Sequence, residues 1–326
     1  MTDNSTKFLI SNQDAGDRLD IVLVKLLPNL SRSNIKKIIK LEQVKINSFI
    51  VVHASKKLKI NDNIEITLIS TEKTNILPAK IKLNIVYEDK DIVIINKPAG
   101  MVVHPGAGNH NNTLVNALTY KYKNKLSNIN STRPGVVHRI DKNTSGLLVV
   151  AKNNNAHSNL GKQFSDHTIK RTYQALSWGI LRPLSGRIET LIGRSRKNRQ
   201  LMSATEISGK KAVTNYTTVK VFEIKDIPKI SFIECELETG RTHQIRVHMA
   251  YKGCSLLGDQ QYGKKNIKFK KINEDFENKL KVLNRQALHA KSLGFVHPTT
   301  KKFMSFESKL PQDFKKILDL LNKLSH

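Results

Sequence analysis

The order of strand-like and helix-like segments constrains the fold of this chain more than any other feature of its sequence. From residue 81 onward, apolar residues mostly alternate or run continuously, as they do in strands, and helical spacing is confined to a few segments. The predicted strands are Asn84–Glu88, Asp91–Asn96, Leu147–Ala151, Arg171–Leu176, Val213–Phe222 and Ser231–Leu237, and the predicted helices are Ala156–Phe164, Thr242–Tyr251 and Gln312–Leu324. Because helices do not alternate strictly with strands, the pattern favours an α+β fold with a mixed, largely antiparallel sheet over a doubly wound α/β fold.

Two short helices are predicted near the N-terminus. The first, Arg18–Leu27, ends at Pro28, and the second, Arg32–Lys40, begins after Ser31, which is a suitable N-cap residue. Isoleucines at positions 35, 38 and 39 fall on one face of the second helix. Its opposite and flanking faces carry the cations: Arg32, Lys36, Lys37 and Lys40. A solvated amphipathic helix and an RNA-binding surface both explain this pattern.

A small pair of strands and a linker follow these helices. Residues 44–52 and 58–68 alternate like strands, with turn-forming residues at 61–63. The polar stretch that follows has the composition of a linker, which we place at residues 71–80. The sequence therefore predicts a small α+β domain at residues 14–70 and a larger α+β domain at residues 81–326.

The composition argues against several classes of protein. No apolar run approaches the roughly 20 residues that span a bilayer, and the N-terminus lacks the basic-then-apolar order of a signal peptide. A cytoplasmic protein without a membrane association is therefore expected. The two cysteines, Cys235 and Cys254, provide neither a disulfide framework nor a Cys-x-x-Cys metal site. His243 and His248 lie five residues apart, which is not the i, i+4 spacing of a helical zinc site.

The charge indicates a polyanionic partner. The chain has 55 Lys and Arg against 27 Asp and Glu, a net charge of +28, and nucleic acid is the usual partner of such a surface. Frequent Lys, Ile and Asn are also typical of AT-rich genomes, which explains part of the excess. Two polar segments carry clusters of cations that are expected to contact RNA phosphates: Arg194, Arg196, Lys197 and Arg199, and Lys264, Lys265, Lys268, Lys270 and Lys271. Each cluster alone is more typical of a solvated loop.

The segment that most clearly indicates chemistry is HRIDKNTSGLLVVAK, residues 138–152. A carboxylate, Asp141, precedes the turn-forming residues 143–146, and an apolar strand follows. A carboxylate on a tight loop that leads into a buried strand is held rigidly, as catalytic groups are. The alternative is that Asp141 caps the turn or pairs with Arg139. A kinase loop is excluded, because Ile140 separates Arg139 from Asp141 and no phosphate-binding glycine loop is present.

Three segments together carry a resemblance to a known family. Residues 96–106 (NKPAGMVVHPG), 138–152 and 238–250 (ETGRTHQIRVHMA) resemble, in this order, segments of the RluA-type pseudouridine synthases. The resemblance runs from about residue 81 to residue 311. At the N-terminus, GDRLD at 16–20, SRS at 31–33 and VKIN at 44–47 resemble the S4 domain, a small fold that binds structured RNA through a basic helical surface.

The resemblance implies roles for individual residues. Asp141 would be the catalytic aspartate, Arg246 would pair with it, and Tyr173 would stack on the flipped uracil. Arg139 would fill the gap that the extruded base leaves. In the S4-like domain, the resemblance implies an RNA-binding surface formed by Arg18 and the cations of the second predicted helix. Ile140 departs from the leucine that is common in the family, without an expected effect.

The implied reaction explains these residue types. Uridine isomerisation breaks the N1–C1′ bond, turns the uracil and joins C5 to C1′. This reaction needs no redox change, metal or activated donor, so no cofactor is expected. A carboxylate near C1′ can attack the sugar or remove the C2′ proton, and the sequence leaves both routes open.

The implied substrate is a uridine in large-subunit ribosomal RNA, by resemblance in the helix 69 stem-loop, and a monomeric enzyme is expected. One alternative is a related synthase that modifies other ribosomal uridines. Another is an S4-type RNA-binding assembly factor without enzymatic activity. The presence of Asp141, Tyr173 and Arg246 together argues against that last alternative, because an inactive protein has no need of all three.

Overall fold

The chain divides into two compact units, Met1–Asn75 and Ile76–His326. A computed structural model describes residues 5–27, 30, 32–67, 76–106, 108–109, 111–225, 227–263 and 274–325. Several predicted features lie outside these residues: Pro28, Ser31, positions 71–75 of the linker and the lysine cluster at 264–271. Within the described ranges, no helix combines the length and the apolar character that crossing a membrane requires.

The first unit combines two helices with a four-stranded antiparallel sheet. Its elements are β1 (Ser5–Leu9), α1 (Leu19–Leu26), α2 (Arg32–Lys40), β2 (Val44–Ile46), β3 (Phe49–Ile50) and β4 (Asn63–Thr67). The strand order is β1-β4-β2-β3, and β1 had no counterpart in the sequence prediction. Ile35 and Ile39 of α2 are buried in one apolar cluster with residues of α1, β2 and β4, as their spacing predicted.

Two strand predictions in this unit need correction. The strand predicted at 44–52 is interrupted at Asn47 and the next residue, which both have positive φ and form the turn between β2 and β3. The strand predicted at 58–68 begins only at Asn63. Its first part is a turn in which Asp62 accepts a hydrogen bond of 2.8 Å from the Asn47 side chain. Turn-forming polar side chains therefore override the apolar alternation here.

The second unit is built on one large sheet. Its strands are β5 (Ile85–Glu88), β6 (Ile92–Lys97), β7 (Ser145–Ala151), β8 (Lys170–Trp178), β9 (Ser185–Arg194), β10 (Met202–Thr205), β11 (Lys210–Phe222), β12 (Ile230–Leu237), β13 (Leu288–Val296) and β14 (Phe303–Glu307). The order is β10-β9-β11-β12-β8-β13-β7-β6-β5, with β14 on β13. Among the described residues, β7 and β13 form the one parallel pair. The predicted α+β class with a mixed, largely antiparallel sheet is confirmed.

The helices of this unit cover the sheet. They are α3 (Leu114–Tyr122), α4 (Asn154–Ser165), α5 (Gln244–Tyr251), α6 (Glu274–Leu283) and α7 (Gln312–Leu324). The predicted helix at 312–324 is confirmed, and its apolar face packs with α6. The helix predicted from Thr242 begins two residues later, because His243 has a left-handed backbone with φ of 57°. Because the helix begins after His243, residues 240–243 lie in the wall of the cleft described below.

Strand β7 is the most completely buried strand of the sheet, and all seven of its residues are buried. Gly146, near its start, has a φ of +115°, and a Cβ there would lie 2.2 Å from the backbone oxygen of Ala290 on β13. The close approach of the two parallel strands therefore requires glycine at this position. This contact fixes the end of the loop that carries Asp141.

Two buried histidines connect elements of the second unit. His248 on α5 shares hydrogen bonds of 2.9 and 3.0 Å with the hydroxyl groups of Thr214 on β11 and Thr190 on β9. His289 on β13 lies 2.9 Å from the hydroxyl group of Ser145 on β7. Burial lowers the pKa of each histidine from 6.5 to about 4. Both rings are therefore neutral in the folded protein near pH 7.

We expect the free energy of unfolding to decrease as the pH falls from about 6.5 toward 4. In this range the unfolded chain binds protons at His248 and His289 that the folded protein does not bind. Each histidine contributes up to about 1.4 kcal/mol per pH unit. Urea unfolding at several pH values measures the slope. His248→Gln should make the slope shallower, and an unchanged slope in this variant would contradict the assignment.

Candidate active site

A cleft of about 260 Å³ opens in the second unit. Its walls are the loop before β7, strand β8 and the segment between β12 and α5. The structure brings together four predicted site residues from three separate segments of the sequence, and all four line this cleft: Arg139, Asp141, Tyr173 and Arg246. The cleft is therefore the candidate active site.

Asp141 lies on the loop that leads into β7. Its backbone oxygen accepts a hydrogen bond of 3.1 Å from the amide of Thr144, which closes the turn. Its side chain keeps 17% of its surface accessible from the cleft. Among the described residues, the carboxylate makes no hydrogen bond or ion pair with Arg139, so the alternative pairing from the sequence is not present. The carboxylate is thus oriented by other groups.

Arg246 on α5 provides that orientation. Its Nη1 donates to Oδ2 of Asp141 at 3.3 Å, as the sequence analysis predicted. Its shorter bonds go to Asp259, at 2.7 and 2.9 Å from Nε and Nη2, and to Gln261 at 2.8 Å. The guanidinium also lies over the ring of Tyr262, 4.8 Å from its centroid. Although burial opposes the charged form, these ion pairs raise the pKa of Arg246, so it is a permanent cation beside Asp141.

Tyr173 and Arg139 occupy different positions in the cleft. Tyr173 lies on β8 with 7% of its surface accessible, and burial raises the pKa of its phenol, which therefore remains neutral. Its ring is part of the cleft wall. Arg139 is exposed at the cleft, and among the described residues it has no ion pair with an acid. It is free to reach a ligand.

Two histidines support the walls of the cleft. Nδ1 of His243 lies 2.8 Å from the hydroxyl group of Tyr262, and its Nε2 is 4.0 Å from Oδ1 of Asp141. Burial lowers the pKa of His243, while Asp141 acts in the opposite direction. His138 accepts a hydrogen bond of 3.0 Å from the amide of Val149 through Nε2. That bond ties the loop before Asp141 to the buried strand β7.

Comparison with known proteins identifies the family. Residues 91–251 match the model of the RNA pseudouridylate synthases, and residues 17–64 match the S4 domain. Ribosomal large subunit pseudouridine synthase D of Zymomonas mobilis is 44% identical over 315 residues, which is 96% of both chains. The protein of the same name from Haemophilus influenzae is 41% identical over 96% of this chain and 93% of its own length. The chain belongs to the RNA pseudouridine synthases.

The synthase is therefore an isomerase with an N-terminal S4 domain. A solved structure supports the fold of the second unit. The human RNA pseudouridylate synthase domain-containing protein 4 matches with a TM-score of 0.55 at 24% identity, over 73% of this chain and 93% of that chain.

A buried lysine that was not among the predicted site residues lies behind the loop of Asp141. Lys97, at the end of β6, is fully buried, and its Nζ donates to the backbone oxygens of Pro98, Met101 and Lys142 at 2.8 to 3.0 Å. Burial lowers the pKa of Lys97 to about 7, although Asp141 acts in the opposite direction. The three carbonyl groups match the three N–H groups of the ammonium form. The signal for this lysine in the sequence was a charged residue at the end of an apolar strand.

A buried acid organises the cations of the S4 unit. Asp20 is inaccessible and lies 3.0 Å from both Arg18 and Arg32 and 3.8 Å from Lys36. Hydrogen bonds from Arg18 and Arg32 hold the pKa of Asp20 below its usual range against the opposing effect of burial. The three cations keep about half of their side-chain surface exposed, so they form one fixed basic surface. The other cations of α2 are also exposed: Lys37 and Lys40.

The basic cluster at residues 194–199 lies at the end of β9 and in the turn that follows. All of its cations are exposed: Arg194, Arg196, Lys197 and Arg199. Nη1 of Arg194 donates to the backbone oxygen of Arg199 at 2.8 Å, which gives the turn a defined shape. The structure therefore places these cations at an accessible edge of the second unit.

One group in the described residues has the geometry to hold a metal ion. The ligand atoms of Asp89, Asp91 and His297 all lie within 4.8 Å of one another. These atoms already bond within the protein, since His297 Nε2 lies 2.9 Å from Asp89 and Asn153 donates to Asp91 at 2.7 Å. The group stabilises the β5–β6 turn, where Asp89 also accepts from the amide of Asp91.

The buried ion pair of Arg246 gives a testable prediction. Arg246→Met should destabilise the synthase by about 3–5 kcal/mol, because it leaves the inaccessible carboxylate of Asp259 without its cation. Adding Asp259→Asn removes that charge and keeps an acceptor for the amides of Gln261 and Tyr262. The double variant should therefore be more stable than Arg246→Met in chemical denaturation. If the losses in free energy of unfolding of the Arg246→Met and Asp259→Asn single variants add up to the loss of the double variant, the pair is not energetically coupled.

Proposed function

We propose that the synthase isomerises uridine in large-subunit ribosomal RNA and that Asp141 is its catalytic group. The observation that carries the proposal is the state of Asp141. Among the described residues that line the cleft it is the one carboxylate, it is accessible, and a permanent cation orients it. The names of the relatives from Zymomonas mobilis and Haemophilus influenzae support the ribosomal substrate.

The geometry supports a mechanism centred on the sugar. The carboxylate of Asp141 acts near C1′, either by attacking it as the N1–C1′ bond breaks or by removing the C2′ proton. The freed uracil turns and C5 joins C1′, which releases the carboxylate from C1′ in the first route and returns the proton to C2′ in the second. C5 then loses its proton and N1 carries one in the product. Arg246 keeps the carboxylate in place and stabilises its negative charge, because Nη1 reaches Oδ2 while Asp259 holds the rest of the guanidinium.

The uridine must leave its stack to reach this carboxylate, at a cost of a few kcal/mol. Tyr173, whose ring forms part of the cleft wall, stacks on the flipped uracil and offsets part of that cost. Arg139 is exposed and without an acidic partner among the described residues, so it can occupy the space that the base leaves in the RNA. The neutral phenol of Tyr173 allows this contact without a like-charge conflict with Asp141.

The same proposal assigns RNA contacts outside the cleft. The basic surface around Asp20, formed by Arg18, Arg32 and Lys36, holds structured RNA together with Lys37 and Lys40. The exposed cations at residues 194–199 add phosphate contacts. We propose the helix 69 stem-loop as the target, since a loop uridine is the easiest to unstack and S4-type surfaces bind structured stems. This substrate implies action in the cytoplasm.

Replacing Asp141 should separate catalysis from binding. Asp141→Asn should abolish pseudouridine formation and leave RNA affinity within a few-fold of wild type, because it removes the charge and keeps the volume. Single-turnover assays and binding curves provide the two measurements. Asp319→Asn, at an exposed position of α7, is the matched control and should retain activity. Residual activity of Asp141→Asn within about tenfold of wild type would remove it from the catalytic role.

The target is tested by mapping pseudouridine in all RNAs of cells with and without the gene. We expect losses at one or a few clustered uridines in a hairpin loop of the large-subunit RNA. Losses confined to transfer RNA would contradict the ribosomal assignment. Losses at other ribosomal loops would exclude helix 69 and favour a related synthase that modifies other ribosomal uridines. No loss at all would favour an assembly factor.

A further inference from the structure

The cleft contains a buried arginine that the mechanism above does not use. Arg171 precedes Tyr173 by two residues on β8, and both side chains line the cleft. Alternate residues of a strand point to the same side and lie about 6.7 Å apart. Arg171 has only 8% of its surface accessible, so its guanidinium is removed from bulk water.

The contacts of Arg171 leave its charge uncompensated. Its Nη2 donates to the backbone oxygen of Leu237 at 3.3 Å, and its Nε is buried without an acceptor in the described part of the chain. The guanidinium lies 5.5 Å from the centroid of Phe164, whose ring also stacks on that of His138 at a centroid distance of 4.5 Å. No carboxylate of the described residues forms an ion pair with it.

Two other buried arginines of this region do have acidic partners. Arg246 and Arg285 each direct Nε and Nη2 at one carboxylate, that of Asp259 and that of Asp313. A buried cation without such a partner is strongly unfavourable. Burial accordingly lowers the pKa of Arg171. The contrast indicates that the partner of Arg171 comes with the substrate.

The neighbouring backbone keeps space for this guanidinium. Gly240 lies in the cleft wall, and a Cβ there would be 2.8 Å from Nη1 of Arg171. The φ of Gly240 lies outside the left-handed region, so what this glycine provides is room for the guanidinium in its observed position. The cleft therefore seats the guanidinium of Arg171, and no acid of the described residues pairs with it.

We propose that Arg171 binds a backbone phosphate that adjoins the target uridine. The anion that an RNA substrate brings into the cleft is its phosphodiester, and a guanidinium matches two of its oxygens. A nucleotide whose uracil reaches Tyr173 carries its flanking phosphates into the same cleft. This inference rests on the proposed function, and Arg171 acts in it as a substrate-binding residue that positions the flipped nucleotide.

Phosphate-neutralised substrates test the contact. Hairpin RNAs that contain the target uridine are prepared with a methylphosphonate at one flanking linkage at a time. Affinity and single-turnover rate are measured for wild type, Arg171→Met and Arg171→Lys. With wild type, one of the neutral linkages should weaken binding or slow turnover by roughly 10- to 100-fold. Arg171→Met should show a loss of that size on unmodified RNA and no further loss at that linkage, and Arg171→Lys should be intermediate.

Two comparisons make the outcome decisive. Arg139→Met, which changes an exposed cation of the same cleft, should remain sensitive to the neutral linkage. Arg171→Met should melt at or above the wild-type temperature, because it removes an uncompensated buried charge. Equal sensitivity of Arg171→Met and wild type at every linkage, or no effect of any linkage on wild type, would overturn the proposal. Absence of product from unmodified RNA would instead contradict the proposed function, while binding still reports on Arg171.

Discussion

The loop from Asp141 to Thr144 depends on buried basic side chains that hold it from several directions. Lys97 donates to the backbone oxygen of Lys142, and Nη1 of Arg285 donates to that of Asn143 at 3.3 Å. Arg246 holds the side chain of Asp141 itself. Beyond the loop, strand β7 is completely buried. A loop would ordinarily be mobile, and these bonds give this one the rigidity that a positioned carboxylate requires.

The buried arginines in and near the cleft differ in whether an acid pairs with them. Arg246 and Arg285 are neutralised by Asp259 and Asp313, so they can be buried permanently as structural groups. Arg171 has no such acid among the described residues, and the cleft keeps a positive potential that an RNA backbone can neutralise. The proposed catalytic and binding roles follow from this difference in pairing. In the proposed function, Arg246 orients the catalytic carboxylate. Arg139 and Arg171 have no acidic partner among the described residues and are available to the substrate.

The S4 unit uses a related arrangement for a different purpose. Asp20 is buried like Asp259, but its partners Arg18, Arg32 and Lys36 keep much of their surface exposed. One acid among three cations leaves a net positive surface with a fixed geometry. In the proposed function such a surface holds the RNA through its phosphates, since ordered cations lose less side-chain entropy on binding.

The sequence by itself determined the α+β class, the apolar strand at Leu147–Ala151, the amphipathic helix at 312–324 and the resemblance that singled out Asp141 and Tyr173. These features are local, because a strand, a helical face or a signature segment is complete within a short stretch of sequence. Only the tertiary structure decided which groups the buried basic side chains contact. Asp259 approaches Arg246, Lys97 lies behind Lys142, and Arg171 has no acidic partner in the described part of the chain. These arrangements depend on segments brought together across the sheet, and no local pattern records which distant acid approaches a buried basic side chain.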